Sequence, residues 1–134
     1  MATITSEYLG DLRVSTKHHE SGVTIITDAP VDNQGKGASF SPTDLCATAL
    51  GTCAMTILGI YAQKHDLDIV GATMEISKTM AANPRRISEI KVIIKMPANN
   101  FTEKDKKGMT NVMRACPVHK SLHADLNQII EIEW

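Results

Sequence analysis

Between Leu45 and Ala62 the chain carries no charged residue over 18 positions, and this run constrains the fold more than any other stretch. Immediately before it stand Ser41-Pro42-Thr43-Asp44. Ser41 has the side chain of an N-cap, Pro42 fits the first helical position, and Asp44, three residues after the cap, completes an S-x-x-D capping box. A helix therefore starts here and ends near Lys64-His65, whose cationic or cationisable side chains suit a helix C-terminus. Apolar nearly all round, it needs burial in a core or in a bilayer. The run is near the minimum length for a span, lacks Lys or Arg at its start, and contains three Thr and two Gly. The remaining chain is amphipathic and would strand its own apolar faces, so the expectation is a buried core helix and no membrane.

Length and charge narrow the rest. A chain of 134 residues is one domain, 1–134, large enough to bury roughly two thirds of its unfolded surface. With 22% charged residues and a net charge of −1, it lacks the basic footprint that phosphate neutralisation requires, which argues against a nucleic-acid partner. The first residues, MATITSEYLGDLRVS, contain no apolar secretory core, and three widely spaced cysteines do not form a disulfide framework. Cytoplasmic localisation is expected, and there a cysteine pair is more often reactive than structural.

The flanking segments read as strands and one further long helix. Residues 8–15 and 23–27 alternate or run apolar, separated by a polar turn over 16–22, and 31–39 is a loop containing Gly35 and Gly37. Strands over 67–80 and 87–96, joined at Asn83-Pro84 with Arg85 and Arg86 decorating the turn, form an antiparallel hairpin with one solvated face. A charged amphipathic helix spans 102–115, with Thr102 and Asp105 in a second capping box. Cys116-Pro117 interrupts it, a short helix covers 117–122, and a strand over 129–134 closes the chain. The order predicts an α+β fold with a long helix packed on a sheet.

Chemistry concentrates at cysteine. Cys116 should be the N-cap of the helix beginning at Pro117, where free N–H groups and the helix dipole favour a thiolate, with His119 and Lys120 nearby. On that ground Cys116 is the thiol of lower pKa. Cys53 sits near the middle of the apolar helix among small neighbours, and both cysteines also fit the role of buried small hydrophobes. Cys46, seven residues before Cys53, reads as plain core. Cys116-x-x-His119 has a zinc-ligand spacing but lacks the second paired module of structural zinc sites, so no metal is expected. Arg13, between Leu12 and Val14 in a strand, is a cation able to steady a thiolate, although a solvated face is its default. His18 and His19 lie in the turn, where exposed and idle is their ordinary state.

FSPTDLCATALGTC at 40–53 and ACPVHKSL at 115–122 together resemble the OsmC/Ohr family of osmotically induced and organic hydroperoxide resistance proteins. The likeness covers most of the chain: a Pro-x-acidic-Leu helix start, a cysteine about ten residues on, then a Cys-Pro-Val turn. The resemblance implies a long central helix on antiparallel sheets in an intertwined homodimer. It implies thiol-dependent reduction of organic hydroperoxides without a cofactor: Cys53 attacks, Cys116 condenses with the sulfenic acid, and a dithiol reductant such as a lipoylated protein reopens the disulfide. Relatives hold the thiolate with an Arg paired to a Glu at the helix start. Thr43 occupies the usual Glu position here, with Asp44 beside it, and Arg13 is the candidate arginine, with His18 or His19 as alternatives. The implied site is thus Cys53, Cys116, Arg13 and Asp44, with Leu50, Met55, Ile57 and Met113 as an apolar wall. The departure at Thr43 and Asp44 leaves an alternative on the same fold, a slow-turnover redox-sensing or small-molecule binding protein.

Overall fold

Ser41 and Asp44 exchange both hydrogen bonds of a capping box in the computed structural model, which describes residues 1–134. The Asp44 amide donates to Ser41 Oγ and the Ser41 amide to Asp44 Oδ2, each at 3.0 Å. The helix so started, α1, runs Pro42–Lys64. Two compact units divide inside it, 1–46 and 47–134.

In the first unit, β1 (Ile4–Gly10), β2 (Arg13–His18) and β3 (Thr24–Asp28) form an antiparallel sheet in that order. The expected single strand over 8–15 is instead a hairpin. Gly10, Asp11 and Leu12 all take positive φ (85°, 54° and 62°), and the Leu12 amide donates to Tyr8 Oη at 3.3 Å. Glycine and aspartate tolerate that backbone region, and the apolar Leu12 masked the turn in the sequence pattern. The loop after β3 contains one 3-10 turn, Val31–Asn33, and is tied back where the Ala38 amide donates to Asp28 Oδ2 at 2.9 Å.

In the second unit, β4 (Thr73–Ala81) and β5 (Arg86–Lys95) form the expected antiparallel hairpin. Residues 67–72 lie outside β4, which starts only after Gly71 at φ 94°. α2 (Glu103–Val112) follows, with the Thr102–Asp105 capping box formed, then a 3-10 turn at Met113–Ala115 and α3 (Pro117–Ser121). The last strand, β6 (Asn127–Glu133), pairs with β5 in parallel. That corrects the expectation of purely antiparallel sheets. The helices between β5 and β6 carry the chain back along the sheet, as a parallel neighbour requires.

Ile90, Val92 and Ile94 alternate inward along β5 and are fully buried with Leu50, Ala54 and Leu58 of α1 and Met109 of α2. Two glycines let the elements approach. A Cβ at Gly51 would lie 2.6 Å from Ile76 Cδ1, and one at Gly108 would lie 1.9 Å from Tyr61 Oη.

The buried residues of α1 are Ala47, Leu50, Gly51, Ala54, Leu58 and Ala62, a single stripe. Thr52, Thr56 and Ile60 stand exposed on other faces. Within one chain burial of α1 is confined to this face, because a three-stranded sheet covers only one side of a helix. Thr52 and Thr56 donate to the carbonyls of Thr48 and Thr52 at 2.8 Å, so their hydroxyls are satisfied within the helix. By length and composition alone α1 is also apolar enough to cross a membrane, with 33% of its most apolar window buried in the chain.

Candidate active site

Cys116 caps α3 as its position before Pro117 predicts. Its backbone is extended (φ −67°, ψ 140°), and Sγ accepts from the His119 amide at 3.2 Å. The side chain is fully buried beside Met109 and Met113 in the core. Cys53, half-buried on α1, packs against the same cluster and is near enough to Cys116 to act on its thiol. The structure thus brings together two sulfurs far apart in the chain, both reduced, in apolar surroundings.

Burial pushes the Cys116 thiol above its ordinary value, and the neighbouring Cys53 pushes it the same way. The amides of His119 and Val118 oppose the shift without cancelling it. Cys116 is therefore not a low-pKa thiol. A five-residue helix offers little dipole to offset complete desolvation. A sign follows for stability. Below the ordinary thiol pKa both folded and unfolded chains keep the proton, so Cys116 gives no pH dependence there. As pH rises past that value the unfolded chain ionises first, and stability falls until the raised folded pKa is passed. Urea unfolding midpoints measured from pH 7.5 to 10 should fall with pH, and the slope should be shallower in Cys116→Ala.

His119 and Lys120 do not both face the sulfur. The His119 ring bonds through Nδ1 to Gln128 Oε1, while Gln128 Nε2 donates to the His119 carbonyl at 3.1 Å. Lys120 is exposed. A pocket of about 270 Å³ is lined by Arg114, His119, Gln128, Ile129, Ile130 and Glu131. Gln128 is the functional candidate that the sequence reading passed over. Its signal was a polar residue in the inward set Gln128, Ile130, Ile132 of β6. Of the expected apolar wall, Leu50 and Met113 are core residues without exposure, while Met55 and Ile57 are partly buried around the same cluster.

Arg13 and Asp44 belong to the first unit. Arg13, on β2, stands across from Asp28 of β3, and its buried Nε has no hydrogen-bond partner. Asp28 is itself buried with Oδ1 unpartnered. Asp44 holds the start of α1, and the Thr43 hydroxyl lies 3.1 Å from Ser41 Oγ. His18 Nδ1 bonds to Ser21 Oγ at 2.7 Å and His19 Nε2 to Thr5 Oγ1 at 2.8 Å, so both rings have local partners. Cys46 is half-buried. No three His, Cys, Asp or Glu side chains are gathered to hold a metal ion.

A long helix carrying Cys46 and Cys53, with Cys116 capping a short helix and packed in the same cluster as Cys53, defines an α+β protein with a paired-thiol site. Residues 35–131 match the family model described as OsmC-like protein, and the chain belongs to the OsmC family. It is 49% identical to a Psychrobacter arcticus protein described in connection with osmotic stress induction and detoxification. That match covers 99% of this chain and 96% of that one, with a TM-score of 0.94. The fold is shared with an organic hydroperoxide resistance protein OsmC of Legionella pneumophila (10% identity, TM-score 0.76, 98% and 95% covered). It is shared too with the organic hydroperoxide resistance protein OhrB of Bacillus subtilis (13% identity, TM-score 0.68, 99% and 98% covered). No curated protein is significantly similar in sequence.

Proposed function

We propose that the protein is a thiol-dependent peroxidase that reduces organic hydroperoxides. The observation that carries this reading is the juxtaposition of the half-buried Cys53 thiol with the fully buried Cys116 in an apolar cluster. The Cys53 thiolate attacks the terminal oxygen of the hydroperoxide, the O–O bond breaks, and the alcohol leaves as sulfenic acid forms. Cys116 then displaces hydroxide from that sulfur, which departs with the thiol proton as water and leaves a Cys53–Cys116 disulfide. A dithiol, such as a lipoylated protein or another thiol reductant, takes the disulfide back to two thiols. Accessibility supports the order of roles, since the half-buried Cys53 is open to substrate where the fully buried Cys116 is not.

Arg13 is the candidate for the cation that the family resemblance implies at the thiolate, with His18 or His19 as alternatives. The uncovered side of α1 supports assembly as a homodimer, and a cytoplasmic setting suits a cycle that begins from free thiols. A slower redox sensor on the same fold is the second reading, favoured by Thr43 at the position where relatives carry Glu.

Turnover separates the two. With cumene hydroperoxide and excess dihydrolipoamide, many equivalents of peroxide should be consumed per protein. Consumption that stops after one equivalent would favour the sensor, and consumption of none would overturn both readings.

A further inference from the structure

Three interactions meet at His119. Its amide donates to Cys116 Sγ at 3.2 Å, its ring bonds to Gln128 Oε1, and its carbonyl accepts from Gln128 Nε2 at 3.1 Å. A carbonyl only accepts, so the Gln128 atom facing it is the amide nitrogen, and the atom facing Nδ1 is the oxygen. Nδ1 therefore carries a hydrogen and donates it, and in the neutral ring this fixes the tautomer. α3 has five residues, too few to hold a helical turn without outside support. At its ends the Lys120 amide donates to the Cys116 carbonyl at 3.3 Å, the Leu122 amide to the Val118 carbonyl at 3.2 Å and the Ser121 hydroxyl to the Pro117 carbonyl at 2.8 Å. Gln128, by contrast, stands on β6 in register with the fully buried Ile90, so its backbone is fixed by the sheet.

We propose that Gln128 is a positioning residue for Cys116: its two hydrogen bonds to His119 hold α3 so that the His119 amide keeps the resolving sulfur against Cys53. The proposal rests on the peroxidase reading and deepens it. The step it governs is capture of the oxidised Cys53. The S–O bond of the sulfenic acid breaks, the S–S bond forms, and hydroxide leaves with the Cys116 proton as water. The Cys53 sulfur is reduced and the Cys116 sulfur oxidised, so no outside electron is needed. A resolving thiol that wanders from its partner slows this second step and leaves the attack on hydroperoxide unchanged. The slower step exposes the sulfenic acid to a second equivalent of peroxide and to sulfinic acid.

The test uses full-length protein reduced and then mixed with cumene hydroperoxide. Stopped-flow consumption reads the first step, acid-quenched mass spectrometry reads disulfide and sulfinic acid, and amide exchange at His119 reads the clamp without any chemistry. Gln128→Leu should keep the first step within about twofold, slow disulfide formation on the order of tenfold, raise sulfinic acid at Cys53, and speed His119 exchange. His119→Asn, whose side-chain amide can donate in place of Nδ1–H, should restore the disulfide rate. If Gln128→Leu unfolds, Gln128→Glu takes its place, since it keeps the acceptor for Nδ1 and loses only the donor to the carbonyl, and it should show a smaller slowing. Disulfide formation at the wild-type rate in whichever Gln128 variant folds, or His119→Asn as slow as Gln128→Leu, would overturn the proposal. Wild-type protein that forms no Cys53–Cys116 disulfide would overturn the peroxidase reading, and the clamp with it.

Discussion

Cys53→Ser is expected to reduce hydroperoxide turnover to the uncatalysed background. A serine hydroxyl remains protonated at neutral pH and is a poor nucleophile toward peroxide oxygen, whereas a thiolate is a strong one. Cys116→Ser should behave differently. Its first turnover should proceed, because Cys53 is intact, and then Cys53 should accumulate as sulfenic and sulfinic acid because nothing resolves it. The comparison is made by following peroxide loss under excess dithiol and by weighing the intact protein after one equivalent. Cys53→Ser protein that consumes hydroperoxide as fast as wild type would end the proposed assignment. The substitution leaves the fold in place, since Cys53 is only half-buried and serine is slightly smaller.

The second large effect concerns the helix itself. Leu58→Ala should cost about 3 kcal/mol of stability, within the range of roughly 2–5 for truncating a buried leucine. Leu58 has no exposed surface and lies in one cluster with Ile90, Val92 and Ile94, whose β-branched side chains leave little freedom to collapse into the gap. Val70→Ala, at a side chain 85% exposed, should change stability by less than about 0.5 kcal/mol. Urea unfolding of the two variants beside wild type checks the contrast. Equal midpoints for the two would show that α1 is not seated on the sheet through Leu58.

Local rules were strong wherever a feature was short in range. Ser41 with Asp44 and Thr102 with Asp105 are two capping boxes readable from spacing alone, and each forms both of its hydrogen bonds. The β4–β5 hairpin followed from alternation, because inward Ile90, Val92 and Ile94 leave one register that buries them all. Cys116 as an N-cap followed from Pro117. The hairpin at Gly10-Asp11-Leu12 was hidden because an apolar residue occupies a left-handed turn position, where periodicity is silent. The parallel partnership of β5 and β6 was equally hidden, since a strand's own alternation does not state the direction of its neighbour.

The chemistry of the sulfurs divides in the same way. Sequence placed Cys116 at a helix start and drew from that a lowered pKa, but the sign depended on how much water the fold removes. Removal is complete, and desolvation wins. The bond from Gln128 to His119 joins residues nine apart on a strand and a helix, and only the crossover that lays β6 beside β5 puts them face to face.

The amino-acid order by itself determined where helices begin, which strands carry an inward face, and that Cys53 stands in the most apolar run the chain has. Tertiary structure decided which sulfur is sealed from water, which flank of the central helix is covered, and which glutamine steadies the turn holding Cys116. Caps and alternation act within a few residues and are written in spacing. Desolvation and side-chain meeting act across space, and they exist only once distant segments have packed.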